Sequence, residues 1–255
     1  MSNSNSKNTR GFDQPASEMS SEPLDFGGVY WNGVADASAL QKEAFKRILD
    51  AANRAISRRG RFLIVLAGGN TPRELYRMLR KAQTRWERWQ IHFGDERCLV
   101  IDDPDRNSCM ANEELLDHVP VPAENIHAIP AELGASAGAR EYTRQLRDIG
   151  YFDMVLLGLG EDGHTASLFP GHAEGLAAHA PAAVAVFDAP KPPAQRISLS
   201  AARLSRAREV MFLVAGESKR DAITRWRNGE PIPAAAIRPE AGVDVLVEAS
   251  LLRKS

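Results

Sequence analysis

Short, wholly apolar runs separated by helical spacings leave this chain few ways to fold. The clearest run is Met154-Val155-Leu156-Leu157; Phe62-Leu63-Ile64-Val65-Leu66 and Val210-Met211-Phe212-Leu213-Val214 match it. A run of this kind, bounded by turn residues, reads as a strand covered on both faces. Ile91-His92-Phe93 and the segment from Val243 to Val247 read as further strands. Between them apolar residues recur at helical intervals: Leu40, Ala44, Ile48, Ala52 and Ile56, then Leu75, Met78 and Leu79, then Tyr142, Leu146 and Ile149. Residues 112–118 and 218–227 read as helices too. Strands alternating with helices predict an α/β fold, a mainly parallel sheet covered by helices on both faces. Ligands of such sheets bind beyond the carboxyl ends of the strands. Chemistry is therefore expected in the loops after Leu66, Phe93, Leu157 and Val214.

Bulk properties narrow the function classes. A net charge of −1 offers no reason to expect a nucleic acid or an anionic membrane as partner, and no stretch approaches the length of a membrane span. The two cysteines, Cys98 and Cys109, fit neither a zinc site nor a redox pair and read as reduced cytosolic thiols. Residues 1–23 are polar, rich in Ser and Asn, and have no apolar core of a secretory signal; they read as a disordered leader. Residues 24–255 are expected to form one α/β domain.

Three loops carry candidate chemistry. In the first, Gly68-Gly69-Asn70-Thr71 joins a strand to a helix start. Thr71 reads as the N-cap, Pro72 as the first helical residue and Glu74 as the partner in a capping box. Amides approaching a ligand closely at a helix N-terminus form an anion cradle suited to phosphate. A tight turn with a well-capped helix is the plainer alternative. No Gly-Lys-Ser/Thr follows, so this is not a nucleotide P-loop. In the second loop, Gly94-Asp95-Glu96-Arg97, Arg97 suits bidentate contact with phosphate, and Asp95 and Glu96 suit orienting it or binding sugar hydroxyls. A salt-bridged surface turn is the alternative there. Lys219, after the turn Gly216-Glu217-Ser218, can reach a phosphate or can be a solvated lysine.

The third loop runs from Gly158 to Pro170. It contains a literal G-x-G-x-x-G, but Glu161 and Asp162 stand where a pyrophosphate must approach, and Pro170 cuts short any following helix. That excludes a dinucleotide fingerprint. What remains is His164, beside Asp162, at a strand's carboxyl end, a residue type suited to proton transfer at neutral pH. Gly134-Ala135-Ser136-Ala137-Gly138 mimics a nucleophile elbow but lacks the preceding strand. No histidine pair has zincin spacing, so no metal is expected.

Together these pieces resemble the 6-phosphogluconolactonase family. The resembling blocks are residues 66–79, 94–108, 152–171, 196–200 and 212–223, in the family's order. The resemblance implies a Rossmann-like fold shared with sugar-phosphate isomerases and deaminases. It implies a cytoplasmic, cofactor-free hydrolase of a phosphorylated sugar lactone in the pentose phosphate pathway. It implies His164 as the base that activates water, with Asp162 or a backbone carbonyl orienting the ring. Gly68, Gly69, Asn70, Thr71, Asp95, Arg97 and Lys219 would surround the substrate. Amides of residues 158–163, or Arg97, would face the oxyanion. The chain departs from the family at Asn70 and Arg106, where serine is usual, and at Glu248-Ala249-Ser250. A glucosamine-6-phosphate deaminase is the nearest alternative enzyme. Ser167-Leu168-Phe169-Pro170 and Asp95-Glu96-Arg97 differ from its usual runs. A sugar-phosphate-binding regulator is the non-enzymatic alternative, and the leader is too short and polar for the DNA-binding module such proteins carry.

Overall fold

The computed structural model describes residues 28–253; the predicted leader lies outside them. In chain order the elements are β1 (Val29–Val34), α1 (Ala37–Arg59), β2 (Phe62–Leu66), α2 (Asn70–Leu79), β3 (Trp89–Phe93), β4 (Asp95–Arg97), α3 (Asn107–Glu114), β5 (Ile126–His127), α4 (Ala135–Gln145), β6 (Phe152–Gly158), β7 (Ala183–Val186), β8 (Arg196–Leu199), α5 (Ala201–Ser205), β9 (Ala207–Val214), α6 (Arg220–Arg227) and β10 (Val243–Glu248).

Seven strands form one parallel sheet in the order β1-β10-β9-β6-β2-β3-β5. Every residue of β2 is buried, so the sheet centre is covered on both faces, as its apolar run requires. Local chemistry fixes the long helix. Asp36 accepts the Ala39 N–H at 2.8 Å at its start, and Gly60, at φ 76°, ends it in a left-handed turn. From β2 the chain winds outward through β3 to β5; from β6 it winds the other way to β9 and β10. β2 and β6 are neighbours, so the switch point of the sheet lies between their carboxyl ends.

Several expectations are corrected. Thr71 is not the N-cap of α2: the helix begins at Asn70, Gly69 holds the cap position, and no side chain caps it. Gly69 sits at φ 101°, a conformation that the following Asn or Thr would adopt only at a cost, so the chain turns two residues earlier. Glu74 pairs with Arg77 instead of closing a capping box. The helix expected over residues 112–118 starts at Asn107 and gives way to a 3-10 turn at Leu116–His118. Residues 95–97 are not a surface loop. They form β4, which with β8 and β7 builds a small antiparallel sheet that apolar runs did not reveal.

Glu96 explains why that loop is charged. It is fully buried, and its carboxylate accepts the N–H groups of Asn107 (2.7 Å) and Ser108 (2.9 Å), capping α3 from a neighbouring strand. It also faces Arg106, which pairs with Glu132 and is itself buried. Glu96→Gln is expected to lower unfolding free energy by about 2 kcal/mol, read from denaturant midpoints; an unchanged midpoint would mean that water replaces the cap.

Candidate active site

Two buried tyrosines set the carboxyl ends of β2 and β3. The Tyr76 hydroxyl donates to Ala67 O at 2.7 Å and accepts Ala67 N–H at 3.0 Å. The Tyr142 hydroxyl does the same at Phe93, at 3.1 and 3.2 Å. Burial pushes both phenols well above their usual ionisation range, so each stays a neutral two-way partner. Beyond Ala67 the chain turns into α2, whose first amides have no carbonyl earlier in the helix to meet. Arg77, Arg73 and Arg80 clamp α2 onto Glu114 of α3. Arg77 foremost, and then Arg73, hold the Glu114 carboxyl down to about 2 against the opposing effect of burial.

The cradle opens onto a cavity of about 430 Å³ at the switch point. Gly68, Gly69, Asn70, Thr71, Asp95, Arg97, His164 and Lys219, all singled out from sequence, line it. Gly68 is required by a close approach: a Cβ there would lie 2.0 Å from Asn107 Oδ1. Asn107 Nδ2 in turn donates to Asp95, at 3.0 Å to its carboxylate and 2.9 Å to its carbonyl. Asp95 also accepts the Ser167 hydroxyl at 2.5 Å, tying β4 to the His164 loop. Asp95 is buried, so its reach toward a ligand is limited by these partners. Arg97 donates to the Asp105 carbonyl, and its Nε is enclosed without a hydrogen-bond partner among the described residues.

His164 is held from two sides. Its Nδ1 lies 2.5 Å from Asp162 Oδ1, and its own N–H donates to the same carboxylate at 3.0 Å. Burial acts to raise the Asp162 carboxyl, but the backbone N–H and ring of His164 outweigh it and hold the acid below its ordinary value. With Nδ1 donating to a carboxylate, Nε2 is left as the proton acceptor. The ring packs against Phe169, centroids 4.8 Å apart, and its side chain remains 22% exposed. Asp162 does not line the cavity; it acts behind the ring. Ala166, at φ 49°, is a strained residue inside this loop.

Two of the loop's amides are engaged. Gly160 N–H donates to His164 O at 2.7 Å, and Gly163 N–H donates to Gly160 O at 3.0 Å. This removes those two from the oxyanion donors that sequence suggested over residues 158–163. Sequence reasoning also missed three residues of the cavity wall: Asn107, Lys191 and Arg196. The alternation in Arg196-Ile197-Ser198-Leu199 was the available signal for β8, in which all four residues are buried. Burial lowers the Arg196 guanidinium, Asp95 acts against that shift, and Arg97 adds to it.

An amide cradle and a carboxylate-held histidine at the switch point of a parallel sheet define a class: small-molecule enzymes of the doubly wound α/β kind. More narrowly, the chain belongs to the family of glucosamine-6-phosphate isomerases and 6-phosphogluconolactonases, whose model matches residues 35–246. It is 39% identical over 218 residues to a 6-phosphogluconolactonase from Synechocystis, a match covering 79% of this chain and 88% of that one. It is 38% identical over 201 residues to one from Nostoc, covering 75% and 82%. Its fold is similar to the crystal structure of 6-phosphogluconolactonase from Thermotoga maritima, with a TM-score of 0.79 and 25% identity over 87% of this chain and 99% of that chain. Among the described residues no helix is long and apolar enough to cross a membrane.

Proposed function

We propose that this chain hydrolyses 6-phospho-D-glucono-1,5-lactone to 6-phospho-D-gluconate, with His164 as general base. The observation that carries the mechanism is the 2.5 Å contact between His164 Nδ1 and Asp162 Oδ1; an Nδ1–H held by that carboxylate leaves Nε2 to take a proton from water. The water oxygen then adds to the lactone carbonyl. The tetrahedral intermediate expels the ring oxygen, which receives the proton from the imidazolium. With the Gly160 and Gly163 amides engaged, the cationic side chains of the cavity carry the main share of the charge stabilisation at the carbonyl oxygen. The phosphate sits at the N-terminus of α2 with Arg97 and Lys219, and Asn70 and Thr71 belong to the same cradle. Anchoring it there contributes binding energy remote from the reacting ester. The reading includes residues 24–255 acting as one domain, in the cytoplasm, on a small-molecule substrate.

The test is a lactone-opening assay beside a deaminase assay on one preparation. Lactone opening above the spontaneous rate, without ammonia release from glucosamine 6-phosphate, is the expected result; the reverse would overturn the reading. Arg97→Ala is expected to lower kcat/KM on the phosphorylated lactone at least about tenfold, since a charge-assisted contact contributes about 1.5–3 kcal/mol. On unphosphorylated gluconolactone the loss should be much smaller. Equal losses on both would assign Arg97 to the reacting ring or the fold.

A further inference from the structure

The amino end of β6 carries a second cationic cavity, and no step proposed above uses it. It holds about 340 Å³ and is lined by Arg140, Arg144, Arg147, Arg203 and Arg206, together with Thr143. No Asp or Glu side chain lines it. Arg144 is taken up by Glu141, at 2.6 and 2.8 Å. Arg140, Arg147 and Arg206 have no carboxylate partner among the described residues.

Arg203 is the unusual member. It is 4% exposed, yet it pairs with no acid among the described residues. Its guanidinium lies over the Phe152 ring, 3.9 Å from the centroid, and donates only to the carbonyls of Ile149, Gly150 and Arg206. Its Nε is buried with no partner among the described residues. Burial, and then the neighbouring Arg206, lowers its guanidinium to about 10. A buried cation crowded by like charges is costly unless an anion compensates it.

We propose that this cavity is a binding site for a compact anion bearing two or more phosphates, separate from the catalytic cavity. Several guanidiniums around one small space suit phosphate oxygens, which they meet through paired N–H donors. A diphosphate carries enough charge to engage Arg147 and Arg206 together while it compensates Arg203. The two sites do not overlap. β6 is 7 residues long, so its ends lie roughly 20 Å apart, and the two cavities share no lining residue. Exposed Tyr151 stands beside the site, with Arg206 and Arg208 each within 6 Å of its ring, at 5.9 and 5.8 Å. A phosphate-bearing compound with an aromatic group would find a stacking surface there.

Calorimetric titration with pyrophosphate tests this. The Arg97→Ala background weakens competing binding in the catalytic cavity, so the result does not depend on the substrate proposed above. Saturable binding near one equivalent is expected, weakened at least about tenfold by Arg147→Ser with Arg206→Ser. Those two residues keep their backbone contacts, and circular dichroism checks that the variant is folded. Undiminished binding in the folded double variant, or no binding by the parent, overturns the site. A nucleoside triphosphate that binds more tightly than pyrophosphate, and loses that advantage in Tyr151→Ser, would assign the aromatic contact. Equal affinity would restrict the site to the phosphates alone.

Discussion

Replacing His164 with alanine is expected to lower kcat by roughly 10²–10⁴-fold while the protein stays folded. The ring is partly exposed and its aromatic contact is with Phe169, so its removal opens no deep cavity. Its loss removes the group that accepts the water's proton, whereas the cradle of α2 and its binding energy remain. KM should therefore change much less than kcat. The pH profile gives an independent reading. Asp162 is held below its ordinary value, chiefly by the His164 backbone N–H and ring against the opposing effect of burial. A depressed carboxyl keeps its charge as pH falls through the ordinary carboxylate range and loses it only further down. An imidazolium cannot accept the water's proton, so an acid-side limb of the rate is the kinetic signature expected of a histidine base. That limb should vanish in His164→Ala once spontaneous lactone opening, which rises with hydroxide, is subtracted. Near-normal turnover in a folded variant would discard His164 as the base and move attention to Asp95 or Asp162.

The sequence revealed those parts whose signal is a run or a spacing. Five of the seven sheet strands were visible as apolar segments, and the loops at the carboxyl ends of four of them were marked for chemistry; the spatial order that sets the switch point was not legible. His164, Arg97, Lys219 and the cradle were legible because each stands directly after such a strand. Side chains whose role depends on a distant partner were not. Glu96 looked like a surface charge, yet it caps a helix that begins at Asn107, 11 residues further on. Asn107 reached the site only because Gly68 has no side chain there, a fit that neither residue reveals alone. Arg196 sits on a four-residue strand in a second sheet, paired antiparallel to β4 at Arg97. Lys191 lies in the proline-rich run of residues 189–193, whose composition carries no chemical signal. The N-cap at Gly69 was misplaced because cap preferences favour Ser, Thr and Asp, and a glycine can hold the position through backbone geometry alone.

Gly160→Ala is expected to lower kcat by about 10²-fold without touching any atom that meets substrate. The methyl group would lie 2.0 Å from His164 Nδ1, 2.2 Å from Cε1 and 2.6 Å from Cγ, far inside contact distance. The backbone of residue 160 cannot retreat easily, because its N–H is bound to His164 O and its carbonyl accepts Gly163 N–H. The ring must therefore swing away. Doing so breaks the 2.5 Å contact with Asp162, which fixes both its tautomer and its direction. Residue 160 does not occupy the positive-φ region, so alanine strains no torsion there and the melting temperature should move little. The decisive measurement is the double variant. If Gly160→Ala acts through the imidazole, it should cost nothing further in a His164→Ala background, where there is no ring to displace. A similar loss in both backgrounds would show that the methyl group distorts the loop itself, and would leave the orientation of His164 to other contacts.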